Sequence, residues 1–179
     1  MKRITLIFTA LAVLLLPVLA SASSWKIDAD HSNIGFKVRH LMVSNVKGVF
    51  GKVQGTVMID DQDITRSTVN ATIDTSSIDT GVVKRDNHLR SPDFFDVAKF
   101  PAMTFVSTGI TRDGSGLKIA GNLTLHGVTR PVVLDVEGIS QEAKDPMGNI
   151  RRGASANAKI NRKDFGLTWN RPWKPAGLP

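Results

Sequence analysis

Between Ile34 and His40 apolar and basic residues alternate, with Ile34, Phe36 and Val38 on one parity and Lys37 and Arg39 on the other. A period of two sends successive side chains to opposite faces, so this stretch predicts a strand with one dry and one wet face. The same period returns along the chain. Val49, Val53, Val57 and Ile59 share a parity with Gly51 and Gly55, and Val69, Ala71 and Ile73 alternate with Thr68, Asn70 and Thr72. Leu117, Ile119, Gly121, Leu123 and Leu125 alternate with Lys118, Asn122 and Thr124, while Val132, Leu134 and Val136 oppose Asp135 and Glu137. Met103-Thr104-Phe105-Val106 is a shorter apolar run, and Ala154, Ala156, Ala158 and Ile160 oppose Ser155, Asn157 and Lys159.

The connections agree with this reading. Asp113-Gly114-Ser115-Gly116 and the stretch from His126-Gly127 to Pro131 predict short hairpin links between antiparallel strands. Only residues 80–90 read as helical, with Asp79 or Thr80 as N-cap and Ser91-Pro92 as the stop. Seven or so alternating strands and one short helix predict an all-β fold, a single antiparallel sheet that closes on itself as an up-and-down barrel. The inward parity carries small residues: Gly51, Gly55, Ala71, Gly121, Ala154, Ala156 and Ala158. A barrel of this size either fills itself with side chains or holds one slender ligand, and small inward residues favour an apolar cavity.

The first residues are set apart from this pattern. Met1-Lys2-Arg3, an apolar run from Ile4 to Leu16 and Ala20-Ser21-Ala22 match the three parts of a secretory signal peptide, with cleavage expected after Ala22. The domain plan is therefore a leader over 1–22 and one domain over 23–179, in an exported chain. With Lys2 and Arg3 gone the formal net charge falls from +7 to +5. The basic residues are scattered rather than gathered, which argues against nucleic acid and leaves a transient membrane-surface contact open. With no cysteine, burial and hydrogen bonding alone hold the fold.

Chemistry is sparse. The four histidines, His31, His40, His88 and His126, show no close-spaced pair of the kind a metal centre uses, so no metal and no cofactor is expected. There is no G-x-S-x-G elbow, no cysteine nucleophile and no phosphate loop, so the chain is not expected to be an enzyme. The block from Gly81 to Phe105 reads as a cap over the barrel mouth, with Lys84, Arg85, His88 and Arg90 on the helix and Phe94 and Phe95 in an oily turn after it.

Linked motifs, in order, carry a resemblance: W-x-I-D-x-x-H-S-x-I-x-F-x-V-x-H from Trp25 to His40, K-R-D-x-H-L-x-S-x-D-F-F-D from Lys84 to Asp96, F-P-x-M-T-F from Phe100 to Phe105, G-x-L-T-L-H-G-V-T-R-P-V from Gly121 to Val132 and R-x-D-F-G-L-x-W from Arg162 to Trp169. Together they resemble the YceI-like family of periplasmic polyisoprenoid-binding proteins. The resemblance implies a lipocalin-like antiparallel β-barrel of about eight strands with a polyisoprenoid chain, such as that of an isoprenoid quinone, held inside; a fatty acid or fatty amide is the alternative ligand. Parity and motif together give the ligand-binding candidates: Phe36, Val38, Val49, Val53, Ile73, Phe94, Phe105, Leu123, Leu125, Val132, Leu134, Ala156, Ala158, Phe165 and Trp169 for the chain, with His40, Lys84 and Arg90 for the head group. Where the family continues into a last closing strand, this sequence reads Asn170-Arg171-Pro172-Trp173-Lys174-Pro175 and on to Pro179. Prolines donate no ladder hydrogen bonds, so closure between neighbours in a homodimer, or a poorly folding chain, is expected over a sealed monomer.

Overall fold

A computed structural model describes residues 22–40 and 43–170, without the side chain of His40. The expected leader lies outside the described residues apart from Ala22, and so does the tail after Asn170. Along the chain run β1 (Ala22–Lys26), β2 (Ile34–His40), β3 (Ser44–Phe50), β4 (Val53–Asp60), β5 (Thr68–Asp74), β6 (Ile78–Asp79), α1 (Val83–Arg90), β7 (Ala102–Asp113), β8 (Gly116–Leu125), β9 (Val128–Glu137), β10 (Ala143–Lys144), β11 (Ile150–Arg151) and β12 (Ser155–Asn157). Seven strands form one antiparallel sheet in the order β1-β4-β5-β7-β8-β9-β12, β2-β3-β6 form a smaller sheet, and β10-β11 form a hairpin. The all-β antiparallel expectation with one short helix holds. As expected of a barrel without its last closing strand, β1 and β12 do not pair among the described residues, so the main sheet is an open, curled half-barrel.

Turn chemistry sets the central registers. Two residues, Gly114 and Ser115, join β7 to β8, and His126 and Gly127 join β8 to β9. Gly114 has φ +56°, and His126 and Gly127 have φ +51° and +74°, the positive values that two-residue hairpins need to match strand twist. β7 is far longer than its apolar run of four suggests, and a register shift between Ser107 and Gly109 lets it continue past an irregularity.

Three departures from the sequence pattern have local causes. Gly51 and Lys52 lie between β3 and β4, where the chain leaves the smaller sheet for the larger one. Parity resets there: Phe50 and Val53 are both buried, and Val49 is turned outward. The helix starts at Val83 rather than near Thr80, because Gly81 takes φ +74° and the Asp86 carboxylate accepts both the backbone N–H (2.9 Å) and the hydroxyl (2.5 Å) of Thr80. Val82 is left as N-cap without a side-chain bond. Finally, β12 pairs only over Ser155–Asn157, and Ala154, Ala156, Ala158 and Ile160 are all exposed. Ala156 lies opposite the buried Val136 on the same face of the sheet, yet stands exposed at its border. Because β12 is so short, β8 is the only strand that pairs with β9 from Val128 to Leu134 among the described residues, and Pro131 sits in that stretch, beside Arg130, whose Nε donates to the Asp164 carbonyl (3.2 Å).

Two apolar clusters fill the concave side. One joins Phe50, Val53, Ile73, Ile78, Met103, Leu125, Phe165 and Leu167 beneath the smaller sheet and α1; the other joins Phe105, Ile110, Leu117, Ile119 and Val136. Half-buried Leu123 and Val132 pack against both, so the wall is continuous.

The β10-β11 hairpin is tied to the N-terminal segment by charge. Arg151 contacts the Asp28 carboxylate and donates from Nε to Asp145 (2.7 Å), while Asp28 also lies 2.8 Å from His31 Nδ1. Arg152 sits 6.0 Å from the Trp25 ring centre. Hydrogen bonding to His31 and Arg151 holds the Asp28 carboxyl below its usual range, and bonds from Asn149 and Arg151 do the same for Asp145. A carboxyl depressed in the folded state adds stability above the unfolded value of about 4, and this is lost as the pH falls through the folded value. Arg151→Ala is therefore expected to melt below the parent at neutral pH, with the gap closing as the pH drops below about 4. A gap in melting temperature that is the same at both ends of an acid titration would refute the assignment.

Candidate functional site

The concave wall is built from alternate residues of adjacent strands. Val53 of β4 faces Ile73 of β5, Phe105 of β7 faces Leu123 of β8, and Leu125 of β8 faces Val128 of β9. Of the residues singled out from the sequence, Phe36, Val53, Ile73, Phe105, Leu123, Leu125, Val132, Leu134 and Phe165 all pack into the two clusters. Rings line the covered end: Phe36 lies 5.6 Å from Phe50, and Phe50 meets Phe95 edge-on at 5.6 Å.

Phe94, Trp169 and His88 come together outside the core as a triangle of mutually touching rings. The ring centres lie 5.0 Å apart for Phe94 and Trp169, 4.8 Å for His88 and Trp169, and 5.0 Å for His88 and Phe94. His88 Nε2 lies 2.9 Å from Asp93 Oδ2, which fixes the imidazole edge. Sequence reading placed His88 among the rim cations; its meeting with two aromatic rings, one six residues on and the other 81, carries no local sequence signal.

The remaining candidates are placed elsewhere. Val38 is 44% exposed, and Val49, Ala156, Ala158 and Lys84 are exposed too. Arg90 is turned inward onto the backbone, donating to the carbonyls of Ser76 (2.8 Å) and Ile78 (2.6 Å), so its guanidinium fastens α1 to the smaller sheet. Arg85 does the same at Thr80, with Nε to the hydroxyl at 2.7 Å and a terminal nitrogen to the carbonyl at 2.9 Å. The His40 side chain lies outside the described residues.

The small inward residues do not open a cavity where expected. A methyl group built on Gly121 would stand 2.4 Å from Phe105 Cζ, and one on Gly55 would stand 2.2 Å from the Asn70 carbonyl oxygen and 2.8 Å from Ile27 Cδ1. The glycines let neighbours close over them. An open groove of about 670 Å³ lies instead on the outer face, over Lys26, Gln54, Thr56, Asn70, Thr72, Thr104 and Val106, the parity opposite Val53, Ile73 and Phe105. It runs along a cross-strand row of Gln54, Thr72, Thr104, Thr124 and Thr129, too polar to suit an apolar chain.

Among the described residues no three histidine or carboxylate side chains converge as a metal site would need. His31 closes a 3-10 turn at Ala29–His31 and His126 stacks on Phe100 at 4.6 Å, both flanking turns. No helix among those residues is long and apolar enough to cross a membrane.

Comparison with known proteins agrees with this architecture. The YceI protein of Salmonella newport is 42% identical over 170 residues, covering 94% of this chain and 88% of its own. The solved YCEI protein of Campylobacter jejuni is 38% identical, with a TM-score of 0.63 over 78% of this chain and 82% of its own. Burkholderia cenocepacia BcnA shares the fold at 24% identity, with a TM-score of 0.71 over 80% of this chain and 86% of that one. The YceI-like domain model matches residues 25–178. The curled antiparallel sheet, its continuous apolar wall and this match place the chain in the YceI-like family.

Proposed function

We propose that the protein is an exported lipid-binding protein that seats a polyisoprenoid chain, such as that of an isoprenoid quinone, against the concave wall, in the service of transport, storage or stress protection. The observation that carries this reading is the continuity of the wall: Leu123 and Val132 join the two clusters, and with Leu134 they keep part of their surface uncovered. A flexible apolar chain laid along that strip gains roughly 25 cal/mol for each Å² it buries, enough to outlast purification after ordering costs. The family resemblance supports the isoprenoid, and the charged, apolar and small-residue pattern before Ser23 supports export to the periplasm with residues 23–179 as one binding domain. Binding, not turnover, is the activity proposed.

The test is organic extraction of protein purified from a periplasmic fraction, followed by mass spectrometry of the extract and sequencing of the N-terminus. An isoprenoid series and a start at Ser23 are expected. Straight-chain acids or amides would overturn the ligand class, and an empty extract would overturn the binding reading. Leu134→Glu, which puts a charge on the uncovered strip opposite Ile119, is expected to keep strand content and lose the lipid.

A further inference from the structure

The β2-β3 hairpin is a ribbon whose apolar face runs off the body of the molecule. Near the base, Ile34 and Phe36 pack against the first cluster. Further out the same face continues with the facing pair Val38 and Val46, and Val38 is 44% exposed; beyond the last paired rung, His40 with Ser44, Val43 is 82% exposed. β3 pairs with β6 through Val49 and Phe50, so among the described residues the outer rungs have no third strand to support them.

The opposite face is basic. From Ile34 to Phe50 the sequence holds Lys37, Arg39 and Lys47 and no carboxylate. Lys37 and Lys47 lie directly across from each other, and neither forms an ion pair among the described residues. Like charges facing across a ladder oppose folding, so this pair is an arrangement that an anionic surface would relieve. Three rungs separate it from the last paired rung, roughly 10 Å at the rise of a strand. With Val43 set among acyl chains, the two lysines reach headgroup level on the face opposite Val38 and Val46, their ammonium groups at the end of flexible stems.

We propose that the β2-β3 hairpin docks the protein, tip first, on an anionic lipid bilayer, with Val43, Val38 and Val46 as the inserted face and Lys37 and Lys47 as the headgroup contacts. The inference deepens the lipid-binding reading and rests on it: a protein that loads a membrane-soluble chain needs a place to meet the membrane. The occupant is identified by charge complementarity and by an uncovered apolar face ending in a tip.

Co-sedimentation of the mature chain with vesicles of phosphatidylglycerol and phosphatidylethanolamine tests it, with phosphatidylcholine vesicles as the neutral comparison. Binding to the anionic vesicles is expected, weakening as salt is raised. Lys37→Gln with Lys47→Gln is expected to weaken it about fivefold per lysine, while melting no lower than the parent because the facing charges are gone. Val43→Asp is expected to abolish the binding that resists salt, and Lys159→Gln, exposed and outside the hairpin, to leave binding unchanged. Equal binding to neutral vesicles, or parent-like binding by the double lysine variant, would overturn the proposal. Lipid extracted from the same preparations separates the two readings: vesicle binding that fails while isoprenoid is present defeats the docking surface alone.

Discussion

Replacing Phe165 by alanine is expected to lower the free energy of unfolding by about 3–5 kcal/mol. Phe165 is 2% exposed, among the most deeply buried large side chains of the described residues, and it is carried by a 3-10 turn, Arg162–Phe165, rather than by a strand. Asn161 caps that turn by accepting from the Lys163 N–H, and Gly166, at φ +78°, closes it with its N–H donated to the Lys163 carbonyl (3.0 Å). Arg162 reaches over the closure to the Leu167 carbonyl at 2.8 Å. These bonds shape the turn, Arg130 Nε of β9 donates to its Asp164 carbonyl (3.2 Å), and the side chains of Phe165 and Leu167 bind it to the core. Without the ring the segment loses its anchor, and Trp169 should leave His88 and Phe94. Urea unfolding followed by tryptophan fluorescence reads both effects, as a lower midpoint at an unchanged slope and as a shifted folded-state spectrum. A midpoint loss worth under about 1 kcal/mol would mean that the turn is held by something else.

A second large effect is expected at Gly55. Valine there must place its Cβ 2.2 Å from the Asn70 carbonyl oxygen and 2.9 Å from Ala71 Cα, both backbone atoms of the neighbouring strand. Side chains can rotate away from a collision, whereas here β4 and β5 themselves must part across the Gly55 and Ala71 rung. Overpacking of a movable core costs about 1–3 kcal/mol; a forced opening in the middle of the main sheet should exceed that and drive Gly55→Val into the insoluble fraction. Gly51→Val is the matched control, since a methyl group there meets nothing within 4 Å. Equal soluble yields of the two variants would defeat the argument.

These two positions also show how far the amino-acid pattern could be followed. Alternation located β2, β5, β8 and β9, because each keeps its apolar residues on one parity without a break in register, even where β2 runs past the wall. It failed across Gly51-Lys52, where leaving one sheet for another resets the parity, and so gave Val49 the inward place that Phe50 holds. It also underestimated β7, whose second half alternates too weakly to announce a strand. Small residues at Gly55 and Gly121 suggested empty space; which neighbour fills it depends on partners brought from elsewhere, Ile27 and Phe105, which no local pattern encodes. The same holds for the head-group candidates, since the target of Arg90 is a pair of carbonyls twelve and fourteen residues earlier.

The border of the sheet along β9 has a bearing on how crowded a solution this molecule tolerates. Between Val128 and Leu134 that strand has, among the described residues, one neighbouring strand, an arrangement that invites another molecule to add a strand and, by repetition, to build a fibril. Pro131 stands in the middle of the unaccompanied stretch and carries no N–H, and Arg130 beside it brings a charge. A stacked strand would meet a missing rung in every molecule and a cation repeated at every layer, so growth stalls where it would begin. One imino acid thus opposes strand addition along this border, on the side of the molecule where the described strands leave the sheet open.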